Sequence, residues 1–221
     1  MTGESSGEMG DAGTDAPTPD RPAPETGPDP RDAGVTRIVA GRWRGRRLAV
    51  PKGTGTRPSA ERVREALAGS LQATGGLDGA RVLDLWAGTG ALGLELASRG
   101  ASSAVFVERD RMALTALRAN VGTFHEATGP ALTVLPGDVL TVLPRLAGPF
   151  DIVVADPPYD LDGTAVAAVL SALAGAGVLA AHADLIVERS TRSGDLAWPV
   201  PLAAVRTRKY GDTLLCYGRA P

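Results

Sequence analysis

The residues with the clearest chemical capacity are Asp156-Pro157-Pro158-Tyr159, which close the apolar run Phe150-Asp151-Ile152-Val153-Val154-Ala155. Such a run reads as a buried strand, and in an open α/β sheet the carboxyl end of a strand is where ligands bind. The two prolines stiffen the turn and remove two N–H donors, so the backbone carbonyls there can face a ligand without internal competition. The Asp156 carboxylate and the Pro157 carbonyl are both acceptors, and together they suit the two N–H bonds of an amine. An amine on an aromatic base is a poor nucleophile, because its lone pair is delocalised into the ring. Two acceptors would favour a more pyramidal nitrogen aimed at an electrophile, with catalysis supplied by position and local electrostatics. Tyr159 would stack on a base drawn out of its helix. The plainer alternative is a proline turn before a helix, with Tyr159 as packing. The chemistry needs no covalent nucleophile and no metal.

Asp84-Leu85-Trp86-Ala87-Gly88-Thr89-Gly90-Ala91-Leu92-Gly93 supplies a second feature, since it follows a strand pattern and opens a helical one. Gly88 and Gly90 permit a tight turn and let a ligand lie on bare backbone. Glu108 ends the next strand, 20 residues after Gly88, where a carboxylate can accept from both ribose hydroxyls of an adenosine. Gly88, Gly90 and Gly93 also satisfy the dinucleotide pattern GxGxxG. Asp84 argues against that reading: at the strand end its charge would repel a pyrophosphate. The same carboxylate would suit the cationic methionine end of S-adenosylmethionine, which is therefore the expected cofactor and the expected source of the electrophile. Asp138, after the third strand pattern, fits two roles that do not exclude each other. It can cap the following helix, and it can accept from an adenine amino group.

The elements that must position these groups follow from periodicity. Strand patterns lie at 81–86, 104–108, 132–135, 151–155 and 184–188, with helical stretches between them at about 91–99, 111–121, 138–146 and 162–174. That alternation predicts a mostly parallel sheet covered on both faces. Ala203–Lys209 and Thr213–Tyr217 are β runs joined by Tyr210-Gly211-Asp212, so the sheet should end in an antiparallel hairpin. A doubly wound α/β sheet closed by such a hairpin is the class I methyltransferase arrangement. Ahead of it, Thr36–Ala40 and Arg46–Val50 read as a small β-hairpin with an Arg/Trp tip, Gly41-Arg42-Trp43-Arg44-Gly45. Ser59 then fits as the cap of a helix from Ala60 to about Leu71, with Val63, Leu67 and Leu71 on one face.

Charge and composition divide the chain into three parts. Residues 1–34 carry eight acidic and two basic residues with six prolines, a composition expected to stay disordered. Residues 35–75 form the basic hairpin and helix, and 76–221 the catalytic domain. Between 37 and 64 lie nine Arg or Lys residues against Glu61 alone, although the whole chain has a net charge of −2. Such a concentration is the footprint expected for phosphate contacts. Arg42, Trp43, Arg44, Arg46, Arg47 and Arg57 are the candidate RNA contacts, with Trp43 also able to stack on a base. A solvated basic edge hairpin is the alternative. Cys216 is the single cysteine, which excludes an intrachain disulfide, and His125 and His182 lie in unrelated segments. No metal site, no membrane span and a cytoplasmic, monomeric protein are the expectations.

Four stretches together resemble the RsmD family: Arg37-Ile38-Val39-Ala40-Gly41-Arg42-Trp43-Arg44-Gly45-Arg46, Arg57-Pro58-Ser59-Ala60-Glu61-Arg62-Val63-Arg64-Glu65, the Asp84–Gly93 loop and Asp156-Pro157-Pro158-Tyr159. The resemblance spans about residues 36–218. It implies methylation of the N2 amine of one guanine in 16S ribosomal RNA, within the small subunit or its precursor. It assigns Asp84, Gly88 and Gly90 to the methionine side of the cofactor, Glu108 to the ribose, Asp138 to the adenine, and Asp156 with Tyr159 to catalysis. Trp86 departs from the pattern, where a smaller aromatic such as Phe is expected, and should be tolerated as packing. The Asp-Pro-Pro-Tyr element alone also occurs in DNA adenine-N6 methyltransferases. That activity, and a noncatalytic RNA-binding assembly factor, are the competing readings.

Overall fold

The computed structural model describes residues 1–3, 36–51 and 58–221, with side chains of the first helix described from Ala60 onward. Arg57 and nearly all of the acidic N-terminal segment fall outside these residues. Residues Met1–Ala33 and Gly34–Pro221 group as separate units, and the second contains everything that follows.

Seven strands form one sheet in the order β3-β2-β1-β4-β5-β7-β6. They are β1 Arg81–Leu85, β2 Ser103–Glu108, β3 Ala131–Pro136, β4 Phe150–Ala155, β5 Leu179–Ser190, β6 Ala203–Tyr210 and β7 Thr213–Arg219. The first five pair in parallel, whereas β7 runs antiparallel to both β5 and β6. This is the class I methyltransferase architecture that the alternation and the terminal hairpin predict.

Alternation along each strand divides the core in two, because successive side chains point to opposite faces. Val82, Phe106, Ile152, Val154 and Ile186 pack on one face, with α1 (Pro58–Ala73), α2 (Ala91–Ser98) and α3 (Arg111–Phe124). Leu83, Leu85, Val107, Val153 and Leu185 pack on the other, with α4 (Val139–Val142) and α5 (Gly163–Gly175).

Four elements differ from expectation. Strand β5 runs over Leu179–Ser190, well beyond the expected 184–188. The helix expected over 138–146 is a short α4 followed by a 3-10 turn at Leu143–Arg145. Pro144 lacks the N–H that an α-helix would need there. Helix α1 begins at Pro58, so Ser59 sits inside the first turn and does not precede it. Proline is favoured in that first position because its missing donor would be unused anyway. The N-terminal hairpin is reduced to one bridge, Arg37 with Arg47, flanked by Ile38 N–H to Arg46 O at 3.0 Å and Leu48 N–H to Thr36 O at 2.8 Å.

Candidate active site

Strand order reverses between β1 and β4, and the candidate residues gather at the carboxyl ends of these two strands and of β2. Such a switch point opens a crevice in doubly wound sheets. Asp84 lies near the end of β1 and is buried. Its Oδ2 accepts the Gly93 N–H at 2.9 Å. Gly93 is the third residue of α2, so its N–H is one of the free donors a helix N-terminus would offer to a phosphate. Here a protein carboxylate already holds it, which disqualifies the GxGxxG pattern as a pyrophosphate cradle. Gly93 must be glycine for contact reasons: an added Cβ would lie 2.5 Å from Phe106 Cε1 and 2.8 Å from Asp84 Oδ2.

Glu108 closes β2 with its carboxylate fixed at both oxygens. Oε2 accepts the Gly88 N–H at 2.7 Å, and Oε1 accepts the Arg109 and Asp110 N–H groups, each at 2.7 Å. Gly88 has φ of 55°, and a Cβ placed there would meet nothing within 4 Å. Its backbone thus borders open space directly above Glu108. Gly90 differs, since a Cβ there would come within 2.5 Å of Leu117 Cδ1. Trp86 also adopts a left-handed φ of 55° and packs on the α4–α5 side of the core. A bulky residue in that region is strained, a cost that recurs at ligand-binding turns.

Burial pushes the Asp84 carboxyl up to about 7, against the opposing effect of its Gly93 hydrogen bond and with further contributions from the Asp156 and Glu108 carboxylates. Three acids from β1, β2 and the end of β4 therefore share one field. A cation is the ligand such a field favours, and an anionic pyrophosphate is the one it opposes.

The Asp156 N–H donates to the Leu85 carbonyl at 3.3 Å, which ties the motif to the end of β1. The turn closes through Leu161 N–H to Pro158 O at 2.9 Å. Asp156 is exposed and Pro157 buried, while Tyr159 is 72% exposed and lines the rim of an open groove. Asp138 caps α4 by accepting the Leu140 N–H at 3.1 Å, and its other oxygen lies 3.3 Å from Arg109 Nη1.

A family model described as conserved hypothetical protein 95 matches residues 36–219. The chain belongs to this family, the RsmD family. It is 38% identical over 132 residues to ribosomal RNA small subunit methyltransferase D of Escherichia coli K12, a stretch covering 60% of this chain and 64% of that protein. Among solved structures it resembles Escherichia coli yhhF at 32% identity and a TM-score of 0.72, over 85% of this chain and 98% of the other. A hypothetical protein of Thermus thermophilus matches at 33% identity and a TM-score of 0.65, over 82% and 97% of the two chains.

In this RsmD-family chain the structure brings Asp84, Gly88, Gly90, Glu108, Asp156, Pro157 and Tyr159 to one edge of the sheet. The basic hairpin requires a correction at Trp43, whose expected stacking on a base does not fit its burial. Trp43 is 1% exposed, packs 4.9 Å from the Phe124 ring and donates from Nε1 to Glu126 at 2.8 Å. An indole that is large and apolar, with one donor, gains more from a core site than from solvent. Arg46 is likewise engaged, donating to Thr123 O at 2.6 Å and lying over the Phe124 ring at 4.4 Å. Arg42, Arg44 and Arg47 are exposed, with Arg42 3.6 Å from Glu126.

Residues that motif reading passed over hold the hairpin in place. Glu95, fully buried in α2, accepts the Val39 and Ala40 N–H groups at 2.8 and 3.1 Å and pairs with Arg99 at 2.7 Å. Ser98 accepts the Trp43 N–H at 3.0 Å and donates to Ala40 O at 2.6 Å. Asn120 of α3 accepts the Ala49 N–H at 2.7 Å and donates to both Ala49 O and Thr89 O. The available signal was polar residues at buried positions of otherwise apolar helix faces. Among the described residues no helix is long and apolar enough to cross a membrane, and no three His, Cys, Asp or Glu residues form a metal-ligating group.

Proposed function

We propose that this chain transfers a methyl group from S-adenosylmethionine to the exocyclic N2 amine of a guanine in 16S ribosomal RNA, within the small subunit or its precursor. The observation that carries the reading is the placement of Asp156-Pro157 one residue beyond β4, beside a glycine turn lined by Asp84 and Glu108. Ribosomal RNA small subunit methyltransferase D of Escherichia coli, as a relative, supports the RNA substrate.

The residues present fit the cofactor. Asp84 would face its cationic methionine end, the bare backbone of Gly88 and Gly90 would lie against it, Glu108 would take the ribose hydroxyls, and Asp138 would reach the adenine amine. When bound, S-adenosylmethionine supplies an electrophilic methyl group on a sulfonium. Asp156 and the Pro157 carbonyl accept the two N–H bonds of the target amine and turn its lone pair out of the base plane. Tyr159, exposed at the rim, stacks on the flipped guanine. The proton lost from nitrogen after transfer passes to solvent, which reaches the exposed Asp156. Arg42, Arg44 and Arg47 contact RNA phosphates, with Arg46 and Arg57 alongside, and residues 35–75 serve as an RNA-binding extension of the catalytic domain at 76–221. The protein acts as a cytoplasmic monomer.

The deciding experiment incubates the protein with labelled S-adenosylmethionine and small subunits from a strain lacking the endogenous enzyme, followed by nucleoside analysis. Label in N2-methylguanosine, abolished by Asp156→Ala, is the expected result. Label on duplex DNA but not on ribosomal particles would move the assignment to adenine-N6 chemistry. Binding to subunits with no transfer at all would leave an assembly factor.

A further inference from the structure

Arg189, on β5, is the second strongly buried cation of the described residues, and it differs from the first. Arg64 is 8% exposed but lies near Glu95 and Glu61, at 3.9 and 3.7 Å. Arg189 is 7% exposed, and among the described residues no carboxylate forms an ion pair with it. Among the described residues its one side-chain hydrogen bond runs from Nη1 to the Leu161 carbonyl at 3.0 Å, and its Nε, like that of Arg64, is buried with no acceptor, so the missing carboxylate is what sets it apart. A buried charge is ordinarily paired, because the desolvation of an unmatched donor and its charge is costly. An arginine left in this state marks a place where an acceptor arrives with a ligand.

Its position says which ligand. Arg189 lines the same small recess as Asp156, Pro157 and Tyr159. It also lines the open groove that Tyr159 borders, where Asp160, Asp162, Glu188 and Asp212 outnumber the one further cation, Arg192. Those carboxylates oppose a phosphate dianion and leave a neutral acceptor as the better match. An amine held by Asp156 and an acceptor held by Arg189 together describe one edge of a nucleobase, with a donor group and a carbonyl on the same face. Guanidinium donors suit a guanine carbonyl, and each well-formed contact of this kind discriminates between bases.

Resting on the methyltransfer reading above, we propose that Arg189 is a specificity-determining residue that donates to the O6 carbonyl of the target guanine. It holds the base in the orientation that brings its amine to Asp156. The Leu161 contact gives the same side chain a grip on the turn after the Asp-Pro-Pro-Tyr motif, so base recognition and placement of that turn share one guanidinium.

The test follows the Arg189 Nε–Hε resonance in arginine-labelled protein, assigned by its loss in Arg189→Lys, with S-adenosylhomocysteine present. Guanosine 5′-monophosphate should shift it. The 5′-monophosphate of 2-aminopurine riboside, which keeps the amine and the phosphate and lacks the carbonyl, should not, and neither should inorganic phosphate. A shift produced by either control, or none with guanosine monophosphate, overturns the proposal. Arg189→Gln should also lower kcat/KM on small subunits by about tenfold or more, with unchanged cofactor affinity. A parallel loss of cofactor binding in that variant would assign Arg189 a purely structural role. If wild-type protein transfers no methyl to subunits while the resonance still responds selectively, the ribosomal substrate falls and the guanine contact stands.

Discussion

Asn120 donates to the Thr89 carbonyl at 2.9 Å, and the same amide group brackets Ala49 from both sides. One side chain on α3 thus joins the glycine turn, which borders the proposed cofactor cradle, to the segment that follows the basic hairpin. Asn120 is 2% exposed, while its partners Ala49 and Thr89 are exposed and half-buried, so these bonds are part-buried. Replacing Asn120 with Leu should leave Ala49 and Thr89 groups unmatched and destabilise the fold by about 1–3 kcal/mol. Because Thr89 lies between Gly88 and Gly90, the same change should weaken S-adenosylhomocysteine binding. Urea denaturation and calorimetry read the two effects. A stability loss with undiminished affinity would show that the hairpin and the cradle are energetically separate.

The buried Asp84 carboxyl makes cofactor binding depend on pH. Its value of about 7 in the folded chain stands above the ordinary 3.8, so the folded state binds that proton more tightly than the unfolded one. The stability this contributes is complete below about pH 4 and is lost as pH rises toward 7, with a slope of at most about 1.4 kcal/mol per pH unit. A cation beside Asp84 selects the ionised form, so its binding should release a proton. The Kd for S-adenosylmethionine is expected to weaken by about tenfold from pH 8 to pH 6. Calorimetry in buffers of different ionisation enthalpy measures the proton directly. Asp84→Asn should flatten the profile, and an unchanged profile in that variant would assign the titration to another group.

Gly88 and Gly90 should fail in different ways. Gly88→Ala places a methyl group where nothing lies within 4 Å, at a φ of 55°. It should lower stability by only about 1 kcal/mol, the strain of a left-handed alanine, yet block a ligand lying on that backbone. Gly90→Ala drives a Cβ to 2.5 Å from Leu117 Cδ1 at a φ of 78°, and should cost more in stability than in affinity per folded molecule. Thermal melts beside cofactor titrations separate the two. Undiminished cofactor affinity in Gly88→Ala would remove the cradle assigned to Gly88.

Much of this was legible in advance, for physical reasons that differ by element. Strands buried on both faces read as continuous apolar runs, so β1, β2 and β4 were recoverable, and with them the residues at their ends, Asp84, Glu108 and Asp156. Asp110 and Asp162 cap α3 and α5 with bonds of 2.7 to 2.9 Å. Periodicity placed those helices, at about 111–121 and 162–174, without identifying the two caps. Trp43 was not legible, because an indole between arginines has the same pattern whether it faces RNA or Phe124. That choice is made by residues 81 and 83 positions further along, Phe124 and Glu126. Arg189 was invisible for the same reason: its significance lies in the carboxylate it lacks.

The division of labour in the basic hairpin yields the last expected outcome. Trp43 and Arg44 are neighbours in sequence, but Trp43 is enclosed by Phe124 and Glu126 while Arg44 is exposed. Trp43→Ala should cost about 3–5 kcal/mol, the range for removing a large buried aromatic, and RNA affinity should fall only through unfolding. Arg44→Ala combined with Arg47→Ala should leave the melting temperature within a few degrees. It should weaken binding to small subunits and make the dependence of log Kd on log salt shallower by about one to two contacts. Filter binding across a salt series measures that slope. A slope unchanged by removing both exposed arginines would place the RNA contacts elsewhere and leave the hairpin as a buttress for α2 and α3. A shallower slope in the folded fraction of Trp43→Ala would instead mean that the buried indole aligns the arginines around it.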